Sequence, residues 1–501
     1  MGSKTPIDSG KLAWLLKHSL ALLNISLVLG FTLGVGGLMF AGESFHDALY
    51  HVMLMCALNY SFDPPNMAAD LARYFAAMFT IGTIGSMISG SLILIKKKML
   101  ARMDDNFVVY GEKEDIESII SKNEKGIDGG EKFITASNYI LYGTEIDNLK
   151  FMNDFSEELK KEETKKVFLR TFSLPGMLME GKIESFCIEE LAARKFWLKY
   201  NPYKIAFDEE GKQRKLHIVL LGCSRLSDEL LFYGLQCNAY ADVTYHLFGD
   251  EKEINRFRIL HANLAEEGVI SYEGDWLGHL DVIKRADMIL LTEQKNQLKI
   301  IADLFFLSAD FRLYIFSCIQ NFDTEMRLFS HQRYGEIPDD RYVIFDWKAE
   351  GTNPERITED KRVRLAQKAN LGHAIEGFDQ EMEITEEEKK AWYDLDLFSR
   401  YAFLYHLDFY INIKQLKESY GKSFTAEMIK SYFHRRRLYY YWFNNWTYDP
   451  MPNPENPFES NNNIRRCSRI LLERDELSEE EREREDGMIR KLLFGNEELL
   501  S

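Results

Sequence analysis

Two long runs of apolar residues stand out in the first hundred positions of the chain, at residues 20–41 and 71–95. Each run is long enough to cross a hydrocarbon core of about 30 Å as a helix that rises about 1.5 Å per residue. Between them, residues 47–58 have the pattern of a short helix that is followed by polar residues and two prolines. The pattern therefore predicts a membrane α-helical module with two spans and a re-entrant helix.

The distribution of basic residues gives this module an orientation. Lys4, Lys11 and Lys17 precede or enter the first run, and three lysines at residues 96–98 follow the second. Because lysine and arginine concentrate on the cytoplasmic side of membrane proteins, we expect both termini to be cytoplasmic. The prediction is a multi-pass protein of the cell's inner (plasma) membrane, with the lipid bilayer as a partner.

After residue 103, short apolar strands alternate with amphipathic helices. A strand, a glycine and a helix occur at residues 105–120, and a clearer copy occurs at residues 216–234. Strands that alternate with helices are typical of parallel, doubly wound sheets. We therefore expect cytoplasmic α/β Rossmann-like units behind the membrane module.

Strand patterns fade after residue 347, and helical periodicity predicts an α-helical C-terminal module. The predicted domains are a two-span pore module at residues 1–103, Rossmann-like units at residues 104–213 and 214–346, and a helical domain at residues 347–501.

The clearer Rossmann-like copy has the spacing of a nucleotide-binding loop. Gly222, Ser224 and Ser227 stand where a dinucleotide-binding loop has three glycines, and Asp250 follows the next strand as a candidate ribose partner. Such a loop binds phosphate through backbone N–H groups at a helix N-terminus. Serine replaces the glycine that allows close approach, so two readings stay open: a nucleotide or dinucleotide site, or an empty scaffold for assembly.

The helical module places cations beside aromatic side chains. His434, Arg436, Tyr440 and Trp446 occur within one predicted helix, and Arg400 lies on the preceding one. Arginine binds phosphate, and aromatic planes can stack against a base. These residues are candidates for ligand binding; the alternative is that the aromatics form core and the arginines are solvated.

Composition and motifs narrow the function classes. The formal net charge of −17 argues against nucleic acid as a partner, since nucleic-acid binding needs a basic face. The six cysteines have no paired spacing, which favours neither a metal site nor a disulfide framework. No catalytic constellation stands out, so we expect no enzymatic activity and no metal.

The segment between the two apolar runs resembles the pore of potassium-type cation channels. Residues 45–50, with the sequence FHDALY, are similar to the aromatic start of a pore helix. The filter of that family is Thr-Val-Gly-Tyr-Gly followed by Asp, and the corresponding positions here are Ala57, Leu58, Asn59, Tyr60, Ser61 and Asp63. Both glycines are replaced, and glycine supplies the backbone that turns carbonyl groups inward. The resemblance therefore implies a cation pore with a non-standard filter.

The cytoplasmic part resembles two other families. Residues 104–320 are similar to the RCK domains, Trk-type NAD-binding units that follow channel pores. Residues 392–401, 433–446 and 475–481 resemble the RyR (ryanodine receptor repeat) domain of bacterial proteins, which is proposed to sense nucleotide-derived ligands. Together the resemblances imply a homotetrameric, ligand-gated channel for small cations with a nucleotide-sensing cytoplasmic ring. The alternatives left open are a non-conducting, membrane-anchored nucleotide sensor or scaffold, and a defence effector.

Overall fold

The computed structural model describes most of the 501 residues. The described residues are 9–59, 63–121, 125–130, 132–161, 164–171, 183–208, 210–264, 268–292, 297–307, 314–319, 342–354, 357, 361–371, 384–456 and 459–493. Side chains at residues 9–23, 85–93, 118, 298, 305, 319, 361, 422 and 491–492 are outside the description. The chain divides into two compact units: residues 1–103 with 134–136, and the remainder.

The first unit consists of three helices: α1 Ser9–Phe40, α2 Phe45–Cys56 and α3 Met67–Ala101. Ser44 and Asn66 cap α2 and α3 by accepting hydrogen bonds from backbone N–H groups three residues ahead. A small core joins the helices and includes Leu38, Val52 and Ala72. A Cβ atom on Gly34 would lie 2.5 Å from a methyl carbon of Val52, so this position requires glycine.

The two predicted membrane spans need correction. In the part of the chain that the structure describes, no helix is both long and apolar enough to cross a lipid bilayer. The predicted membrane fold class and the multi-pass location in the plasma membrane are therefore wrong. The second apolar run lies in α3, whose first two turns carry the charged residues Asp70 and Arg73. Leu38 of the first run and Ala72 of the second contribute to the helix–helix core.

The second unit begins with a five-stranded, wholly parallel sheet in the order β2-β1-β3-β4-β5. Its strands are β1 Phe107–Tyr110, β2 Gly126–Asp128, β3 Asn138–Leu141, β4 Lys166–Arg170 and β5 Ile183–Phe186. Its helices are α4 Lys113–Ile120, α5 Glu145–Asp154 and α6 Ser156–Leu159. Helices α7 Ile188–Lys199 and α8 Tyr203–Ala206 follow.

A second parallel sheet has six strands in the order β11-β10-β9-β6-β7-β8. Its strands are β6 Leu216–Leu221, β7 Val243–Gly249, β8 Val269–Glu273, β9 Met288–Leu291, β10 Tyr314–Ile319 and β11 Tyr342–Asp346. Its helices are α9 Arg225–Cys237, α10 Glu251–Leu260, α11 Leu280–Arg285 and α12 Gln297–Leu307, with 3-10 turns at Ala262–Leu264 and Trp276–His279. Numbered within this sheet, the order is that of the Rossmann fold.

Alternate residues of β6 pack into cores on opposite faces of the second sheet. Leu220 faces a core that includes α9, whereas Leu221 faces a core that includes α11 and α12. Helices therefore cover both faces, as expected for buried parallel strands. The prediction of parallel, Rossmann-like α/β sheets is confirmed.

The C-terminal part is helical, as predicted, with a small sheet that the sequence pattern missed. Its helices are α13 Trp347–Gly351, α14 Lys361–Asn370, α15 Glu386–Tyr393, α16 Leu397–Tyr420, α17 Ala426–Phe443 and α18 Glu479–Leu492, with a 3-10 turn at Gly421–Ser423. The strands β12 Thr447–Tyr448, β13 Asn461–Asn462 and β14 Cys467–Ser468 pair in the order β12-β14-β13.

A buried ionic network ties these helices to the Rossmann-like part. Asp408 on α16 is fully buried and accepts hydrogen bonds from Arg194 on α7, at 2.9 Å, and from Arg362 on α14, at 3.1 Å. Arg362 also donates to the hydroxyl of Tyr233 on α9 at 2.9 Å. Because a buried charge needs such partners, this network fixes α16 and α14 against α7 and α9.

Candidate functional site

A cavity of about 1020 Å³ lies among α14, α16, α17, α18 and the loop that contains β13. This volume is at the upper end of the range typical of small-molecule sites. The cavity is lined by Ala369, Asn370, Leu371, Phe398, Ser399, Ala402, Phe403, His406, Arg436, Arg437, Tyr440, Tyr441, Asn453, Glu459, Ser460, Asn461, Asn462, Asn463, Ile464 and Met488. We call it the Arg436 cavity.

Arg436 is a buried cation in the wall of this cavity, with 6% of its surface exposed. Its Nη1 atom donates weak hydrogen bonds to Oε1 of Gln236, at 3.4 Å, and to the carbonyl oxygen of Ala402, at 3.3 Å. Its Nε atom has no hydrogen-bond partner among the described residues, and none of their carboxylate oxygens lies within 4.0 Å of the guanidinium. Burial lowers the pKa of Arg436 to about 10, so it stays charged at neutral pH.

Arg437, the next residue on α17, is also in the cavity wall but has an ionic partner. Its Nη2 atom lies 2.7 Å from Oε1 of Glu485 on α18. Glu485 also contacts His434 at 2.9 Å and Arg474 at 2.8 Å. Burial tends to raise the pKa of Glu485, but the hydrogen bond with His434 and the charges of Arg437 and Arg474 outweigh it and hold the pKa below its usual value. The positive charge of Arg437 is therefore compensated within the protein.

Aromatic side chains form much of the remaining wall. The rings of Phe398 and Tyr440 pack with their centroids 4.7 Å apart. Trp446 is not in the cavity lining, but its ring stacks on Phe398 with a centroid distance of 4.9 Å. The Tyr440 hydroxyl donates to the carbonyl oxygen of Phe398 at 2.7 Å, which fixes both rings. Phe398 and Phe403 are only partly buried and give the cavity apolar, planar surface. Planar rings near a cation are suited to a ligand with an aromatic base and an anionic group.

The structure brings together two of the five predicted ligand-binding residues, Arg436 and Tyr440. Trp446 supports the wall from behind. His434 is buried outside the lining, where its Nδ1 atom faces Glu485 and its Nε2 atom lies 2.9 Å from the carbonyl oxygen of Leu472. Arg400 is also outside the lining and donates to the carbonyl oxygens of two residues that precede α16.

The predicted loop at Gly222 lies where the strand order of the second sheet reverses, between the carboxyl ends of β6 and β9. This is the position at which open α/β sheets bind ligands. Gly222 has a φ angle of 116°, a conformation that favours glycine. We call this place the Gly222 crevice.

Polar groups of the Gly222 crevice are bonded to one another. Ser224 and Ser227 form a reciprocal capping box at the start of α9. Oγ of the fully buried Ser227 lies 2.7 Å from both the Gly222 carbonyl oxygen and Oγ1 of Thr292 after β9. These hydrogen bonds engage the hydroxyl groups of Ser227 and Thr292 and connect the segments that follow β6 and β9.

Acidic side chains surround the same helix start. Asp228 lies in the first turn of α9, and burial raises its pKa to about 6, with a smaller contribution from Glu253. Asp250 caps α10 by accepting a hydrogen bond from the Glu253 N–H group at 2.8 Å, so the predicted ribose partner has a structural role. Carboxylates at a helix N-terminus compete with a phosphate for the same N–H groups.

The predicted filter positions are in the first unit. Ala57 caps the end of α2, Leu58 has a φ angle of 57°, and the Asn59 N–H group donates to the Leu54 carbonyl oxygen at 2.9 Å. Asp63 is exposed. Tyr60 and Ser61 lie outside the described residues.

Sequence reasoning did not identify the contributions of distant segments to the Arg436 cavity. Gln236 lies on α9, 200 positions before Arg436, and no local pattern connects the two. The asparagine-rich stretch at residues 459–463 also lines the cavity. Its amides already bond within the loop; for example, Asn462 Nδ2 donates to Asn453 Oδ1 at 2.7 Å. Among the described residues, no group of three or more His, Cys, Asp or Glu side chains is arranged to hold a metal ion.

Comparisons with protein-family models, with curated proteins and with solved structures gave no match for this chain.

Proposed function

We propose that this protein is a ligand sensor that binds a nucleotide-derived anion in the Arg436 cavity. The observation that carries the proposal is the buried Arg436 guanidinium in the wall, which has no carboxylate within 4.0 Å among the described residues. Burial of a charge without a partner is costly. A phosphate group on a ligand would supply the missing charge and form charge-assisted hydrogen bonds.

The surroundings of Arg436 support a ligand with a planar group as well as an anion. Phe398 and Phe403 present partly exposed rings, and the volume of about 1020 Å³ is larger than a phosphate alone needs. Stacking of a base on an aromatic side chain contributes about 1–3 kcal/mol. A nucleotide combines both chemistries in one molecule.

The position of Arg436 connects ligand binding in the cavity to helix α9 of the Rossmann-like part. Its contact with Gln236 is at the C-terminal end of α9, the helix whose N-terminal end forms the Gly222 crevice. A ligand that competes for the guanidinium would change this contact. It can shift a conformational equilibrium only by the difference in its affinity for the two states. Assembly into a homotetramer and a role in defence remain predictions. The proposal does not include the conduction of ions.

The experiment is isothermal titration calorimetry of the full chain with nucleoside 5′-monophosphates and 3′,5′-cyclic mononucleotides, before and after the substitution Arg436→Gln. A lost charge-assisted interaction of about 1.5–3 kcal/mol corresponds to a loss of affinity of about 10- to 150-fold. Because the substitution removes an uncompensated buried charge, we expect the thermal midpoint of unfolding to stay the same or rise.

Arg435→Gln is the matched control, since Arg435 is the neighbouring arginine on α17 and is not in the cavity lining. Its Nη1 atom donates to the carbonyl oxygens of Ala239 and Ala241 instead. We expect this variant to bind the nucleotide with affinity close to that of the unmodified protein. The proposal is overturned if none of these nucleotides binds, or if binding is equally strong in the Arg436→Gln variant.

A further inference from the structure

The charges in the wall of the Arg436 cavity restrict what kind of anion can bind. Among the residues that the structure describes, three charged side chains line the cavity: Arg436, Arg437 and Glu459. The charge of Arg437 is matched by Glu485 at 2.7 Å. Arg436 alone has no carboxylate within 4.0 Å among the described residues. The described part of the wall therefore offers one positive charge that no carboxylate compensates.

Glu459 adds a negative charge to the same wall. Its carboxylate accepts hydrogen bonds from the side-chain amides of Asn453, at 2.8 Å, and Asn456, at 3.0 Å. Amides hold the carboxylate in place but do not neutralise it. A ligand with several negative charges would place some of them near Glu459 without a cation to balance them, and like charges repel.

We propose that the ligand is a nucleotide-derived phosphodiester with a single negative charge, and that polyphosphates are discriminated against. This inference rests on the proposed function of the same cavity. A phosphodiester retains one charge at neutral pH, whereas a terminal phosphate carries about −1.5 to −2. One guanidinium can pair with one phosphodiester through two parallel hydrogen bonds. The planar bases on either side of the diester would contact rings such as Phe398 and Phe403.

The experiment compares four adenine compounds of different charge by calorimetry with the full chain: adenosine, the dinucleotide ApA with one phosphodiester, AMP, and ATP without added metal. We expect ApA to bind at least about tenfold more tightly than ATP and adenosine, with AMP between them. In the Arg436→Gln variant, ApA should bind no better than adenosine.

A second variant tests the charge assignment directly. Glu459→Gln removes the wall carboxylate and retains the side-chain shape, so AMP should gain about threefold in affinity relative to ApA. An exposed residue outside the cavity lining provides the control: Glu455→Gln should leave the ratio unchanged.

The outcomes separate this inference from the proposed function. If ATP binds most tightly and its binding is lost in Arg436→Gln, the inference is wrong and the proposed function stands. An unchanged AMP-to-ApA ratio in Glu459→Gln also contradicts the inference alone. If none of the four compounds binds in an Arg436-dependent way, the proposed function fails, and the inference fails with it.

Discussion

At the Gly222 crevice the polar side chains bond to one another, whereas at the Arg436 cavity the described residues give a buried cation only weak contacts to neutral oxygens. The crevice has the position in the fold at which ligands usually bind, and the cavity does not follow from the fold at all. Oγ of Ser227 lies 2.7 Å from two oxygen atoms of its own unit, whereas the oxygen atoms that accept hydrogen bonds from Arg436 lie at 3.3 and 3.4 Å.

The difference shows that buried polar or charged groups without partners identify a binding site better than its position in the strand order of the fold. A buried polar group that already has its hydrogen-bond partners stabilises the fold and has few hydrogen-bonding positions left for a ligand. A buried charge without an ionic partner costs stability, and proteins retain such features mainly at functional sites. Function therefore has to be argued from the residues of the site, and the fold supplies only a prior expectation.

The largest expected effect in this comparison comes from giving Arg436 a carboxylate partner, which the described residues do not supply. Gln236 is fully buried, its Oε1 atom accepts from Arg436, and its Nε2 atom has no partner among the described residues. In Gln236→Glu, a carboxylate of nearly the same shape would face the guanidinium. We expect nucleotide affinity to fall by about 10- to 100-fold while the free energy of unfolding stays the same or increases. Calorimetry and chemical denaturation measure the two quantities.

Gln236→Met separates the added charge from the loss of the amide. This side chain has similar volume and no charge, so affinity should change by less than about threefold. Equal losses in the Glu and Met variants would mean that the Gln236 amide itself contributes to binding. That result would remove the main contrast between the Gly222 crevice, whose polar groups bond to one another, and the Arg436 cavity.

The second prediction concerns the Gly222 crevice, where a substitution should change the stability of the protein but not its binding of nucleotides. In Ser227→Ala, the groups that now bond to Oγ of Ser227 would lose a partner in a fully buried position. We expect the free energy of unfolding to fall by about 1–3 kcal/mol and nucleotide affinity to stay unchanged. A double-mutant cycle with Thr292→Val should give a coupling energy of about 0.5–3 kcal/mol. A specific loss of nucleotide binding in Ser227→Ala would instead identify the crevice as a ligand site.

The sequence was sufficient for the parts of the molecule that depend on local pattern. The strands that alternate with helices after residue 103, most clearly around residues 216–234, predicted a parallel sheet, because such alternation is typical of doubly wound folds. Helical periodicity after residue 347 likewise predicted the C-terminal helices. The short strands β13 and β14 were missed because two-residue strands have no period that a pattern can reveal.

Properties that depend on distant segments were predicted less well. Arg436 was singled out as a cation among aromatic residues, but whether a carboxylate lies near it depends on what distant elements such as α9 and α16 place beside it. His434 carried the same local signal and is instead bonded to Glu485, 51 positions later. The two apolar runs near the N-terminus were predicted as membrane spans from their length and hydrophobicity alone, whereas no helix of the described residues is long and apolar enough to cross a bilayer.

The third effect is a pH dependence that distinguishes the buried groups of the two regions. His246 on β7 lies between His217 and Tyr272, with nitrogen-to-partner distances of 3.0 Å, and burial lowers its pKa to about 4. An unfolded histidine has a pKa of about 6.5, so between these values the unfolded chain binds more protons and stability falls as the pH decreases from about 6.5 to 4. Arg436 remains charged throughout this range and contributes no such slope.

The substitution His246→Gln tests this assignment, because glutamine can bond to the same neighbours without titrating. We expect a flatter dependence of the free energy of unfolding on pH between about 4 and 6.5, measured by urea denaturation at several pH values. Arg436→Gln should leave the slope as it is in the unmodified protein. If the slope is unchanged in His246→Gln, other groups that bind protons on unfolding account for it, and the neutral state of His246 in the folded Rossmann-like unit has no measurable effect on stability. The contrast between a sheet that buries neutral polar groups and a cavity that buries a charged one then rests on Arg436 alone.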